Sequence, residues 1–128
     1  MKHIYNRHYK KERIFLDCTD LGRFQKLLKR CSDKYGVKID AYAIMDNHFH
    51  LLGDGGDISK FMMSLQRAYA QYFNVKYGKK GQVFEKNYKA KDVSTLEYLR
   101  NIKKYLLINP IDRALEIKVR DMIAVQWR

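Results

Sequence analysis

The chain has 128 residues, a mass of 15.3 kDa and a formal net charge of +12, from 26 Lys and Arg against 14 Asp and Glu. This length fits one domain over residues 1–128, and 46% hydrophobic with 13% aromatic residues excludes a disordered basic tail. The excess positive charge favours a polyanionic partner, of which nucleic acid is the simplest.

The sequence also indicates a compartment. No stretch approaches the roughly 18 apolar residues that span a bilayer, and residues 1–15 lack the apolar core of a signal peptide. Cys18 and Cys31 have no CxxC spacing, which favours reduced thiols over a disulfide. We therefore predict a cytoplasmic protein without a membrane partner.

The first part of the chain is predicted to form a strand and a helix. Residues 3–5 form a short apolar strand that leads into a basic loop. Thr19 can cap a helix that ends at Gly36, a residue suited to the left-handed position after a helix. The apolar residues of this helix recur every three or four positions: Leu21, Phe24, Leu27, Leu28, Cys31 and Tyr35.

A strand pair is predicted next. Residues 37–45 alternate in the manner of a strand, and Asp46 with Asn47 can form a two-residue turn because both tolerate positive φ. Residues 48–53 would return as the neighbouring strand. One face of the first strand would carry Val37, Ile39, Ala41, Ala43 and Met45.

A second helix and a fourth strand follow. Asp57 or Ser59 can cap a helix that ends near Gly78, and residues 90–93 look like a short strand. The apolar stripe of this helix contains Ile58, Phe61, Met62, Leu65, Tyr69, Tyr72 and Phe73.

The last element is a third helix. Residues 94–97, Ser-Thr-Leu-Glu, form a capping box, and the helix must stop near Asn109 because Pro110 follows. The order β-α-β-β-α-β-α predicts an α+β fold: a ferredoxin-like βαββαβ antiparallel sheet with helices on one face, plus a C-terminal helix.

Two histidines stand out on the predicted third strand. His48 and His50 flank Phe49, and side chains two apart on a strand point to the same face. Two such imidazoles can chelate a divalent cation, whereas the plainer interpretation is two half-buried histidines in a sheet.

Tyr105 and Asn109 lie four residues apart, on one stripe of the third helix. A tyrosine that attacks a phosphodiester must lose its proton, align with phosphorus and meet positive charge on the phosphate. A cation on His48 and His50 would supply that charge, with Asn109 as a third, oxygen ligand. This donor set suits Mn²⁺ or Mg²⁺, and zinc would also bind. A half-buried tyrosine on an amphipathic helix is the plainer alternative.

Two segments resemble the single-tyrosine HUH transposases, the IS200-like family named for a histidine–hydrophobe–histidine motif. Residues 41–52, AYAIMDNHFHLL, resemble the HUH strand pair, and residues 98–110, YLRNIKKYLLINP, resemble the nucleophile helix. The Tyr-x-x-x-Asn-Pro signature is similar to that of the REP-associated tyrosine transposases. Asp46 stands where a proline is common, and His8 where a glycine often follows Asn-Arg. Further landmarks lie in the same order at residues 3–7, 66–69, 72–74 and 81–84.

The resemblance implies a function and a set of roles. Members have a ferredoxin-like fold and cut and rejoin single-stranded DNA beside a hairpin through a 5′-phosphotyrosine. Tyr105 would be the nucleophile, and His48, His50 and Asn109 would hold Mg²⁺ or Mn²⁺. The partner would be single-stranded DNA with a hairpin. Relatives act as monomers or as homodimers, and the sequence leaves that choice open.

A basic arm, residues 76–91, combines cations with aromatic rings. Cations on phosphates and rings on unstacked bases are typical of single-strand or hairpin binding, and a solvated lysine-rich loop is the plainer alternative. Together with Arg7, the candidate DNA-binding residues are Lys79, Lys80, Lys86, Lys89, Phe84 and Tyr88.

Two other functions stay open from the sequence. An inactive or domesticated copy would bind single-stranded or hairpin nucleic acid without catalysis. An HUH nickase of the replication-initiator or relaxase class would share the chemistry, although the order of the motifs fits the transposases better.

The charge is unevenly distributed. Residues 41–58 contain Asp46, Asp54 and Asp57 but no Lys or Arg, which gives this window a net charge of −3 in a chain of +12. The two histidines lie inside this window, so the sequence predicts a locally non-basic site for a cation in a basic protein.

Overall fold

Four strands and two helices alternate along residues 1–93, the part of the chain that the structure, a computed structural model, describes. In chain order they are β1 (Lys2–Arg7), α1 (Cys18–Tyr35), β2 (Lys38–Ile44), β3 (His48–Asp54), α2 (Ile58–Tyr77) and β4 (Lys89–Asp92). This order confirms the predicted βαββαβ arrangement. The predicted third helix, with Tyr105 and Asn109, lies outside the described residues.

The strands form one sheet in the order β2-β3-β1-β4, and each neighbouring pair is antiparallel. Both helices contact the same face: the ring of Phe24 in α1 lies 5.0 Å from that of Phe49 in β3, and Gln66 in α2 accepts a hydrogen bond from Asn6 in β1. The ferredoxin-like fold is therefore confirmed. Within residues 1–93, neither helix has the length and apolar character needed to cross a membrane.

Most residues of the predicted helix stripes are buried, because their 3–4 spacing aligns them along one side, whereas Tyr35, Ile58 and Tyr72 are partly buried. Gly36 and Gly78 end the helices with φ values of 69° and 62°, in the left-handed region that glycine adopts without strain. Asp57 caps α2, as one of the two alternatives predicted. The predicted cap Thr19 is wrong: Asp17 caps α1, because its carboxylate accepts from the backbone N–H of Asp20 at 2.9 Å.

A bulge changes the faces of β2. Ile39 pairs with Gly53 and Ala41 with Leu52, so Asp40 is an extra residue on this strand. Since each residue of a strand alternates between faces, the bulge moves Ala41 to the face opposite Ile39. The prediction that residues 37, 39, 41, 43 and 45 share one face is therefore wrong.

The turn between β2 and β3 lies at Asp46 and Asn47, as predicted, but neither residue adopts the positive φ on which the prediction rested; among the non-glycine residues of 1–93, only Lys11 has a positive φ. The turn contacts the loop after β1. Met45 donates its backbone N–H to the carbonyl of His48 at 2.8 Å, which closes the turn around Asp46 and Asn47. The carbonyl of Asp46 accepts from Ile14 at 2.8 Å and from Phe15 at 3.1 Å, and that of Asn47 accepts from His8 at 2.9 Å. The loop over residues 8–15 therefore fixes the position of the turn.

A buried carboxylate joins the two helices. Asp20 at the start of α1 has no exposed surface and accepts hydrogen bonds from the hydroxyls of Tyr72 at 2.7 Å and Tyr77 at 2.6 Å, from Lys76 Nζ at 2.8 Å and from Leu16 N–H at 3.0 Å. Burial alone would raise the pKa of Asp20, but the hydrogen bonds outweigh it and lower the pKa to about 2. The group is therefore charged at neutral pH.

Candidate functional site

His48 and His50 lie on the face of the sheet opposite α1 and α2. Phe49, the residue between them, packs toward the helices, so both imidazoles project from the other side of the sheet. The centroids of the two imidazole rings are 5.1 Å apart. The register places Arg7 of β1 opposite His48 and Tyr5 opposite His50. The sheet therefore brings two histidines, a tyrosine and an arginine onto one surface.

The ring of His48 is held by the neighbouring turn residue. Its Nδ1 lies 2.6 Å from Oδ1 of Asn47, while Nδ2 of Asn47 donates to the carbonyl of Lys11 at 3.1 Å. The loop that docks the turn therefore also orients the amide that contacts His48.

The ring of His50 contacts a histidine that sequence reasoning did not select. Nε2 of His3 lies 2.9 Å from Nδ1 of His50, and the ring of His3 stacks on those of Tyr5 and His50 at centroid distances of 4.7 and 5.1 Å. Residues 3 and 5 are two apart on β1, so their side chains lie on the same face of the sheet. That this face is shared with His50 follows only from the antiparallel register of β1 and β3.

Burial keeps this pair neutral. It lowers the pKa of His50 to about 3, with help from the neighbouring His48 and His3, and it lowers the pKa of His3 to about 4, with help from Lys91. Neutral imidazole is the form that binds a metal, so the donor chemistry at His50 fits a divalent cation. Within residues 1–93, no three His, Cys, Asp or Glu side chains are grouped to hold a metal, so two imidazoles would be only part of a ligand set.

These shifts predict a pH-dependent stability. In the unfolded chain His3 and His50 would bind protons with the ordinary pKa of 6.5. In the folded chain their pKa values are about 4 and about 3, so the folded chain binds these protons only at lower pH. The free energy of unfolding is therefore expected to fall by about 2 kcal/mol or more between pH 7 and pH 5. Urea unfolding at a series of pH values, with a chelator present, measures it. The variant His3→Gln should show a shallower fall, and a wild-type value that stays constant across this range would contradict the assignment.

A cavity of about 460 Å³ opens beside the histidines. Arg7, Lys11 and Lys89 line it together with Tyr5 and Glu85. Nε of Arg7 donates to Glu85 at 2.8 Å, which holds the guanidinium at the edge of the cavity. Cations therefore surround a site whose own strand carries no Lys or Arg.

The structure separates the predicted DNA-binding residues into groups. Arg7 and Lys89 line the cavity, whereas Lys79, Lys80 and Lys86 are exposed on the arm and are not among its lining residues. Tyr88 is half-buried and packs against the edge of the core.

Phe84 occupies the core. It is 7% exposed, and its ring makes an edge contact with Phe49 at 5.8 Å between centroids. A backbone bridge between His8 and Phe84 draws the arm back to the sheet at this point. Packing in the core therefore accounts for this aromatic residue, whose ring is not exposed for stacking on a base.

The fold and the site together define a ferredoxin-like α+β domain with paired histidines beside a cationic cavity. A family model described as "Transposase IS200 like" matches residues 2–108. The chain belongs to the IS200-like transposase family. Among curated proteins, no match is found.

Two solved structures have the same fold. One is a REP-associated tyrosine transposase bound to a REP hairpin, with 12% sequence identity and a TM-score of 0.66 over 99% of this chain and 83% of that chain. The other is a protein from Deinococcus radiodurans R1 assigned to the transposases, with 18% identity and a TM-score of 0.60 over 81% of this chain and 85% of that chain.

Proposed function

We propose that this transposase is a single-tyrosine HUH enzyme, acting as one domain over residues 1–128, that nicks and rejoins single-stranded DNA next to a hairpin. The observation that carries the proposal is the pair of same-face imidazoles, His48 and His50, beside a cavity lined by Arg7 and Lys89. The REP hairpin in the related structure supports a hairpin as the partner.

Arg7 and Lys89 would hold the DNA backbone. Arg7 uses Nε for Glu85, so its terminal nitrogens are the donors that can form a fork on a phosphate. Lys89 adds a point charge from β4, the strand next to β1, where it pairs with Tyr5. The exposed Lys79, Lys80 and Lys86 extend the positive surface along the arm. These cations would position the single strand next to the histidines.

A divalent cation, Mg²⁺ or Mn²⁺, would be held by His48 and His50, with Asn109 as the proposed third ligand. When bound, it would supply positive charge to the scissile phosphate. The neutrality of His50 means that this ring need not lose a proton before it acts as a ligand.

Tyr105 would be the nucleophile. Its phenol loses a proton, its oxygen forms a bond to phosphorus, and the bond between phosphorus and the 3′ oxygen breaks. The leaving oxygen takes up a proton, which gives a free 3′-OH and a 5′-phosphotyrosine. Attack of a 3′-OH on that ester reverses the step and rejoins DNA. No nucleotide cofactor is needed, because the phosphotyrosine conserves the energy of the broken bond.

The test is formation of a covalent adduct. The full chain is incubated with a pool of single-stranded oligonucleotides in which a hairpin and its flanks vary, with Mn²⁺, Mg²⁺ or a chelator. We expect a protein–DNA band on a denaturing gel with either metal and none with the chelator. Retention of hairpin DNA without an adduct under every condition would contradict catalysis and favour a nucleic-acid-binding protein.

A further inference from the structure

We propose that Asn47 and His3 are positioning residues that hold His48 and His50 in the tautomer with the proton on Nδ1, so that each ring presents Nε2 to a cation. The inference rests on the proposed function, because it assumes that these two histidines are metal ligands. It concerns residues that act through the ligands and do not themselves touch the cation.

The tautomer of His48 follows from the direction of the Asn47 amide. Nδ2 of Asn47 donates to the carbonyl of Lys11 at 3.1 Å, and the reverse orientation would place two acceptor oxygens against each other. Oδ1 therefore faces Nδ1 of His48 at 2.6 Å. An amide oxygen only accepts, so the proton of this hydrogen bond belongs to Nδ1. In a neutral imidazole the lone pair then lies on Nε2.

The tautomer of His50 depends on His3. One proton lies between Nε2 of His3 and Nδ1 of His50, which are 2.9 Å apart. If His3 donates, Nε2 of His50 carries a proton and cannot coordinate. If His50 donates, its lone pair is on Nε2. Only the second arrangement gives the same ligand atom on both histidines, and it requires His3 to act as an acceptor.

Packing limits the other ways in which these rings could lie. The ring of His50 lies 5.1 Å from His3, 5.3 Å from Tyr5 and 5.1 Å from His48, measured between centroids. His3 and His50 are only 8% and 5% exposed, so water does not compete readily for their contact. Outer hydrogen bonds of this kind fix the orientation of ligating histidines in metal sites, and their loss commonly weakens metal binding by about 10- to 100-fold.

The first experiment reads the tautomers directly. Long-range ¹⁵N–¹H spectra of the metal-free wild-type chain at pH 7.5 should show Nδ1–H for both His48 and His50. Asn47→Ala should produce the Nε2–H form of His48, and His3→Phe that of His50. Asn47→Asp and His3→Gln, which keep an acceptor oxygen, should retain Nδ1–H.

The second experiment measures Mn²⁺ affinity by calorimetry on the same variants, with circular dichroism to verify the fold. Asn47→Ala and His3→Phe should bind about 10- to 100-fold more weakly, while Asn47→Asp and His3→Gln should retain most of the affinity. Asn87→Ala, at an exposed asparagine of the arm, is the matched control and should leave both readouts unchanged.

The outcomes separate this inference from the proposed function. Wild-type spectra with Nε2–H on either histidine would overturn the inference, even in a protein that forms the DNA adduct. Unchanged Mn²⁺ affinity in folded Asn47→Ala and His3→Phe would also overturn it. Nδ1–H on both rings in a protein that forms no adduct would support the positions assigned to Asn47 and His3 and contradict only the proposed reaction.

Discussion

Replacing Tyr105 by phenylalanine is expected to abolish the covalent protein–DNA adduct while leaving hairpin binding close to that of the wild type. The phenol oxygen is the atom that would bond to phosphorus, and phenylalanine keeps the ring but removes that atom. Loss of a nucleophile commonly lowers the rate by about 10³-fold or more. Binding should persist because the cations that would hold the backbone, Arg7 and Lys89, belong to the sheet and are unchanged.

The adduct is quantified on denaturing gels, and binding by gel shift with the same oligonucleotide. Tyr98→Phe, seven residues earlier on the predicted helix, is the matched control and should form the adduct at a rate close to that of the wild type. An adduct that survives in Tyr105→Phe would disprove the assignment of this residue.

Replacing Asp20 by alanine is expected to lower the free energy of unfolding by about 3 kcal/mol. The substitution removes the acceptor of hydrogen bonds from Tyr72, Tyr77, Lys76 and the N–H of Leu16. The hydroxyls of the two half-buried tyrosines and the backbone N–H of Leu16 would lose their hydrogen-bond acceptor. The side chain of Lys76 is partly exposed to water. The expected loss of unfolding free energy therefore lies near the lower end of the range for a buried ion pair that loses one partner.

Urea denaturation followed by circular dichroism measures this change. Asp33→Ala is the matched control, because Asp33 lies on the same helix in an exposed ion pair with Lys29 at 3.7 Å. It should change the free energy of unfolding by no more than about 0.5 kcal/mol. A loss below about 1 kcal/mol in Asp20→Ala would show that the buried carboxylate does not stabilise the contact between the helices.

Much of the fold could be predicted because its signals are local. The alternation on both sides of Asp46 and Asn47, the 3–4 spacing in α1 and α2, and the glycines after each helix all depend on near neighbours in sequence. The bulge at Asp40 could not be predicted, since an extra residue leaves the alternating pattern intact while it reverses the faces. The cap at Asp17 was not predicted because Thr19, two residues later, also belongs to the residue types that commonly cap helices.

In the candidate site, too, the features that depend on near neighbours in sequence could be predicted, and those that depend on distant strands could not. The spacing of His48 and His50 was enough to place both rings on one face. His3 could not be selected, because its contact with His50 depends on how β1 pairs with a strand some 47 residues away. The lysines around Phe84 in sequence predict an exposed ring, but the backbone bridge to His8 brings Phe84 to the sheet and its ring lies in the core.

The loop over residues 8–15 has a consequence for how this protein can change over generations. Irregular surface segments are usually where lineages gain and lose residues at little cost. This one donates three backbone N–H groups to the turn before His48 and accepts the amide of Asn47 through Lys11. An insertion or deletion here would shift the turn and rotate the ring beside it. We therefore expect changes in the length of this loop to be tolerated poorly, because they would move the turn that carries Asn47 and His48.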